Sequence, residues 1–401
     1  MSALDTTSRP TAAPIAFVRD KATWLAYLAC WYYLVIQASF GPAMPYIREE
    51  RGFSYTMAGL HFTAISTGAA AVGLLGDRLI RLLGRRRAFW SAITGMTLGS
   101  MLVILSPVAA LGIAGAFVAG ALGCLLLIVA QANLADRHPA HRPQAMAEIN
   151  LACSAATIVA AFGVGVAAGM PGGWRFAFVL FWGAAGIAAL TLRGAPFAPS
   201  MPRAIGHDGP VRLSPVFWAL AIAQALSAAT EWSITYWGAD FLIQSVDLSK
   251  GGAATALSTF FFAMATGRLL GSRYASRIAP GTLLPISIAI GLAAFPIFWL
   301  GPTLPVKLAG LFLIGLGLSN VYPATASLTT ERWPTIVDVT LSRLLLVSGV
   351  SMLTAPLLLG MLADRIGVER GLALIVPILV ASLAITFWVR RRLLVPEPPA
   401  A

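Results

Sequence analysis

Apolar residues in this chain come in runs much longer than a soluble helix needs, separated by short polar breaks. Twelve such runs lie at about residues 23–47, 54–75, 88–107, 109–134, 143–169, 174–192, 214–241, 252–272, 281–300, 304–328, 336–361 and 371–389. Each is near the roughly 20 residues that carry an α-helix across a bilayer core. The first is also longer than the roughly 7–15-residue apolar region of a secretory leader, so it reads as a retained span. The longest break, 193–213, is rich in proline and glycine (Pro196, Pro199, Pro202, Gly206, Gly209, Pro210). It reads as a linker between two groups of six spans, 23–192 and 214–389, with tails at 1–22 and 390–401.

A weak internal repeat supports that division. Leu74-Leu75-Gly76-Asp77-Arg78 matches Leu269-Leu270-Gly271-Ser272-Arg273 at an offset of 195 residues. The same offset relates Ala135-Asp136-Arg137-His138-Pro139 to Thr330-Glu331-Arg332-Trp333-Pro334, and Gly120 to Gly315. Two breaks matching at one offset suggest duplicated halves, a pattern common in secondary transporters. The pattern predicts an all-α membrane protein, twelve transmembrane helices in two pseudo-symmetric six-helix bundles.

Composition agrees. Of 401 residues, 58% are apolar and only 11% charged, with a mean hydropathy of +0.80; a soluble domain carries about 25% charge. The partner this implies is the lipid bilayer. The net charge of +12 would fit nucleic acid, but the basic residues sit in short breaks between spans, where the positive-inside bias explains them better. The tails, the 193–213 connector and the even-numbered breaks hold 19 Lys and Arg, and the odd-numbered breaks hold 7. That ratio puts both termini in the cytoplasm, in a bacterial inner membrane. Cys30, Cys124 and Cys153 all lie inside spans without ligand spacing, so no disulfide, metal or cofactor is expected.

Ionisable residues deep in a span are expensive and mark function. Glu231 is near the centre of span seven, with Gln224, Ser227, Thr235 and Gly238 at −7, −4, +4 and +7. That spacing draws one polar stripe down a helix, which must face protein or a watery cavity. Burial raises a lone carboxylate's pKa toward neutrality, so Glu231 is a candidate proton carrier or solute ligand; a carboxylate satisfied by neighbouring hydroxyls is the structural alternative. His61 in span two is a second candidate for a proton path, although a lone histidine is commonly structural. Candidate solute ligands around Glu231 are Tyr33 and Gln37 in span one, Gln131, Asn150, Gln224, Trp232, Thr235, Tyr236 and Asn320. Aromatic rings with polar edges suit sugars or flat organic molecules; packing is the ordinary alternative for each ring. No arginine is expected near mid-membrane, which favours a neutral or cationic solute over an anion. Glu148, Arg268 and Arg343 lie closer to the cytoplasmic ends of spans five, eight and eleven and form a candidate closing gate.

The stretch Gly73-x-x-x-Asp77-Arg78, closed by Gly84-Arg85-Arg86-Arg87, resembles the loop signature of the major facilitator superfamily. It departs in spacing, with five residues rather than one between Arg78 and Gly84. Gly173-Trp174-Arg175 and Gly360-Met361-Leu362-Ala363-Asp364-Arg365-Ile366-Gly367 also resemble this family. The resemblance implies alternating access by rocking of two bundles, a cavity lined by helix seven, and gating by Gly73, Asp77 and Arg78. Asp77 would sit at the start of helix eleven when the site faces outward, a placement the helix dipole favours. The function expected is proton-coupled secondary transport of a small organic solute by a monomer, with a sugar-type symporter favoured and a proton-driven drug exporter as the alternative. HExxH, GxSxG and GxxxxGK[ST] patterns are absent from the sequence, which argues against an intramembrane enzyme or ATP-driven pump.

Overall fold

The computed structural model describes residues 17–198, 213–274 and 277–393. Most of both tails and of the 193–213 connector lie outside the described residues. The first half contains α1 (Lys21–Arg51), α2 (Tyr55–Leu83), α3 (Arg85–Leu105), α4 (Ala109–Arg137), α5 (Arg142–Ala167) and α6 (Arg175–Leu192). The second contains α7 (Pro215–Val246), α8 (Lys250–Tyr274), α9 (Pro280–Leu300), α10 (Leu304–Leu318), α11 (Val321–Arg332), α12 (Val337–Ile366), α13 (Val368–Gly371) and α14 (Ile375–Leu393). The tenth span is α10 and α11 together, and the twelfth is α13 with α14. The tenth, expected as one unbroken run, breaks at Ser319-Asn320. Pro323, lacking an N–H, cannot close the turn that would join them smoothly.

One expectation is corrected. The basic stretch 74–87 was expected as a loop, but α2 runs through it to Leu83 and α3 starts at Arg85. Only Gly84 is outside a helix, at φ 75°, a conformation glycine adopts without a side-chain clash. The residues added relative to the family signature therefore lengthen α2 rather than a loop.

Among the described residues, 10 of the spans are long and apolar enough to cross a membrane on composition alone. The two that fall short are α1 and α7, which carry Gln37, Ser39, Gln224, Ser227, Glu231 and Asp240. These helices bury most of their length inside the protein, so their polar groups face neighbouring helices instead of lipid. They cross closely: a Cβ on Gly41 of α1 would overlap the carbonyl oxygen of Thr235 on α7.

The repeat reappears in packing. Gly120 of α4 lies against the Ile65 backbone of α2, and Gly315 of α10 against the Phe260 backbone of α8. Both members of the second contact are 195 residues after those of the first. Small residues at such crossings let backbones approach where lipid supplies no hydrophobic drive. Between the halves, α2 packs on α12 and α5 on α8. In α12, Pro356 lacks an N–H and leaves the Met352 carbonyl without its helical partner. The hydroxyl of Ser66 donates to Met352 O at 3.2 Å and that of Thr63 to Leu353 O at 2.9 Å, both from α2 across the interface.

Candidate functional site

A cavity of about 760 Å³ lies between the halves. One wall is α5, with Asn150 and Ser154; the other walls include Glu231 of α7, Arg268 of α8 and Asn320 at the α10–α11 break. It reaches Ile278 and Glu331, at the end of the bundle that also holds Gly84 and most of the basic residues. This is called the basic end below. Asn320 is fixed by its amide, which donates to Gly267 O at 2.8 Å, and Gly271 leaves the space its side chain fills. The Glu231 carboxylate and the Arg268 guanidinium form neither hydrogen bonds nor ion pairs with any described residue. Thr235 folds back on the Glu231 carbonyl at 2.8 Å, so its hydroxyl does not reach the carboxylate.

Beyond Glu231 the interior is closed by rings. Trp232 stacks on Tyr236, with centroids 5.5 Å apart. Tyr236 stacks on Phe62 of the first half at 3.9 Å and 13°, and Trp237 meets Phe62 edge-on. Past this plug, at the end opposite the basic one, polar groups join the halves. Arg48 Nη1 donates to Asp240 Oδ1 at 2.5 Å, and its guanidinium lies 3.4 Å from the Tyr55 ring centroid. Gln244 donates to the Tyr55 hydroxyl, and Lys250 pairs with Glu49. The Asp364 carboxylate of α12 accepts the backbone N–H of Tyr55 at 2.7 Å and of Thr56 at 2.8 Å. It thereby caps the start of α2, where a negative charge is favoured. The halves are thus clasped at one end and parted by a cavity at the other.

The expected site residues divide accordingly. Asn150, Glu231 and Asn320 line the cavity, as does Arg268. Tyr236 is buried in the plug with Trp232 beside it, and Gln37 is buried on α1. Tyr33 is buried against Gly123. Gln224 is buried and accepts the Ser348 hydroxyl at 2.5 Å; Thr235 is buried and Gln131 half-buried. His61 is fully buried between Phe53 and Gly112. Its Nδ1 lies 2.8 Å from Met57 O, near the clasped end and away from the cavity lining.

At the basic end, Asp77 and Arg78 are exposed, and Asp77 has no partner among the described residues. Gly73 is exposed with open space around it. The expected pairing of Glu148 with Arg268 or Arg343 is not present. Glu148 instead accepts from Arg19 at 2.6 and 2.8 Å and from the Tyr27 hydroxyl at 2.8 Å, all within the first half; Arg343 is exposed. Arg85 pairs with Asp136 at 2.5 Å, tying α3 to α4. Asp20, just before α1, pairs with Arg137. Burial pushes its pKa up, but the Arg137 guanidinium and the Thr23 amide and hydroxyl outweigh this and hold it at about 2. Sequence reasoning missed Ser154 and Ser319 in the lining. The α5 spacing Asn150 to Ser154, one helical turn, was the available signal.

Two bundles around a cavity closed at one end define the fold of a secondary transporter. The sequence profile of the Major Facilitator Superfamily matches residues 23–343, and the chain belongs to that family. The structure resembles that of a bacterial homologue of the human lysosomal transporter Spinster in its inward-facing, occupied conformation. The TM-score is 0.74 at 18% identity, covering 96% of this chain and 100% of that one. The nucleoside transporter NupG gives a TM-score of 0.76 at 12% identity, over 92% of this chain and 98% of that one. The D-xylose–proton symporter gives 0.74 at 14% identity, over 92% and 96%. In sequence, the membrane protein MosC of Rhizobium meliloti is 26% identical over 178 residues, 44% of each chain.

Proposed function

We infer that this protein moves a small polar organic solute across a bacterial inner membrane by alternating access, coupled to protons at Glu231. The observation that carries the reading is the unpartnered Glu231 carboxylate, placed where the cavity ends and the ring plug begins. A carboxylate deep in a span without a fixed counter-charge is expensive when ionised. It is stabilised by a proton or by a bound solute, and exchange of one for the other is the elementary step of coupling. The excess of basic residues at the end where the cavity opens supports a cytoplasmic assignment for that end and for both termini. On that assignment the conformation is inward-facing. One chain supplies the cavity and both ends, which supports a monomer as the transporting unit. The aromatics that suggested a sugar-type cargo form the closing plug in this conformation, so the cargo is better argued from the charges.

The test is transport in proteoliposomes with an imposed pH gradient. Glu231→Gln keeps size but removes the titration. It is expected to abolish gradient-driven accumulation, while solute exchange across the membrane continues at reduced affinity. Accumulation at wild-type rate and pH dependence in this variant would exclude coupling at Glu231.

A further inference from the structure

We propose that the solute is a zwitterion carrying an ammonium and a carboxylate, held between Glu231 and Arg268. The inference rests on the transport reading above and names the cargo of that cavity. Glu231 on α7 and Arg268 on α8 both line it. They are not in contact, since no ion pair within 4.0 Å joins them, and neither has another partner among the described residues. The other wall of the cavity they share is α5 of the first half.

Apart from Glu331, the remaining polar lining, Asn150, Ser154, Ser319 and Asn320 among it, is neutral. The third charge, Glu331, is in the last turn of α11; it and Arg268 are both exposed while the cavity is open, and Arg268 loses that water when the basic end closes over a solute. The inner cavity thus offers one negative and one positive group, apart and uncompensated. A cation alone would satisfy Glu231 and leave Arg268 bare; an anion alone would do the reverse. A neutral polyol would leave both without a counter-charge in a region where that is expensive. A molecule with an ammonium at one end and a carboxylate at the other satisfies both through charge-assisted hydrogen bonds, and Arg268 can hold a carboxylate by two parallel ones.

The experiment measures binding to the purified full-length protein at one fixed pH without a gradient, so failure of proton coupling cannot alter its outcome. The probes are β-alanine, γ-aminobutyrate and ε-aminocaproate, the alkylamines and alkyl carboxylates of matching length, and myo-inositol. A zwitterion is expected to bind at least about tenfold tighter than the one-charge analogues of its length. Arg268→Gln should move the preference to the amine, and Glu231→Gln to the carboxylate. That reversal is a readout a merely structural role would not give. Absence of zwitterion binding to the wild-type protein would overturn the proposal, as would inositol or a one-charge analogue binding as tightly, or an unchanged order of preference in folded variants. The wild-type ranking decides alone should either variant fail to fold.

Discussion

The clasped end should open when Asp240 loses its charge. In Asp240→Asn the side chain keeps its shape and an oxygen for Arg48 Nη1, but the Arg48 cation is left uncompensated. The Asp240 side chain is 4% exposed and that of Arg48 18%, so solvent screens the pair little. Removing one partner of such a pair costs about 3–5 kcal/mol. The Tyr55 ring, 3.4 Å from the guanidinium, retains about 0.5–2 kcal/mol of cation–π attraction. The clasped state should therefore lose about 2 kcal/mol or more relative to one in which Arg48 reaches water, some 30-fold in population. Spin labels at Pro171→Cys and Thr303→Cys, on loops of opposite halves at this end, would read the change in a background lacking native cysteines. A longer-distance population should grow in Asp240→Asn. An unchanged distance distribution with a lowered melting temperature would show that the pair only holds the fold together, and would refute the gate. Asp240→Asn combined with Arg48→Gln should recover much of any lost stability while leaving the end loose, because it removes the bare charge as well as the bond.

Two further outcomes follow from local geometry. A Cβ at Gly120 would overlap the Ile65 carbonyl, which is backbone and cannot swing aside, so Gly120→Val should lower stability by about 1–3 kcal/mol. Gly315→Val at the repeat-related crossing should do the same in thermal unfolding, and a harmless variant at either would break the equivalence of the two crossings. Asp20, held at about 2 against an ordinary 3.8, stabilises the folded state above the ordinary value, and this contribution is lost as pH falls from about 4 to 2. With the Asp20 side chain 28% exposed and that of Arg137 32%, solvent screening leaves a contribution of about 1 kcal/mol at neutral pH. Asp20→Asn should cost that much at pH 7 and nothing at pH 2 in denaturant unfolding; a pH-independent difference would point to lost capping of α1 instead.

The sequence made legible what depends on one-dimensional statistics. Spans were readable because each must contain about 20 apolar residues, and the 195-residue offset correctly pointed to the paired crossings at Gly120 and Gly315. Glu231 stood out because a carboxylate in an apolar run is rare. What stayed hidden depends on which faces meet. Trp232 and Tyr236 looked like cavity walls, but ring stacking on Phe62 of the other half makes them a plug. Asp240 sits at the end of an apolar run, where a carboxylate is ordinary; its partner Arg48 is 192 residues earlier, and nothing local joins them. Glu148 was expected to face the second half, but the segment before α1 folds back and Arg19 takes it. Arg268, read as lying toward the cytoplasmic end of its span, lines the same cavity as Glu231, because sequence position gives the depth of a backbone and not the reach of a long side chain.

The arrangement of α2 and α12 gives the sign of one more effect. Asp364, near the end of α12, caps the first turn of α2 at the clasped end. Asp77, late in α2, is unpartnered at the basic end, where α12 begins without any side-chain cap on its first turn. Each helix therefore carries a carboxylate in its later part, Asp77 in α2 and Asp364 in α12, and in this conformation only the Asp364 cap is made. A carboxylate at a helix start contributes about 0.3–1 kcal/mol, up to about 2 when partly buried. If closing the basic end brings Asp77 to the start of α12, the two residues stabilise opposite conformations. Asp364→Asn should then favour opening of the clasped end by about 1 kcal/mol, roughly fivefold, while Asp77→Asn should favour the conformation seen here by a similar factor. The pair at Pro171→Cys and Thr303→Cys reports the first shift, and a pair at Leu83→Cys and Arg277→Cys across the basic end reports the second. Shifts of the same sign in both variants would mean that Asp77 has no part in closing the basic end and serves α2 alone.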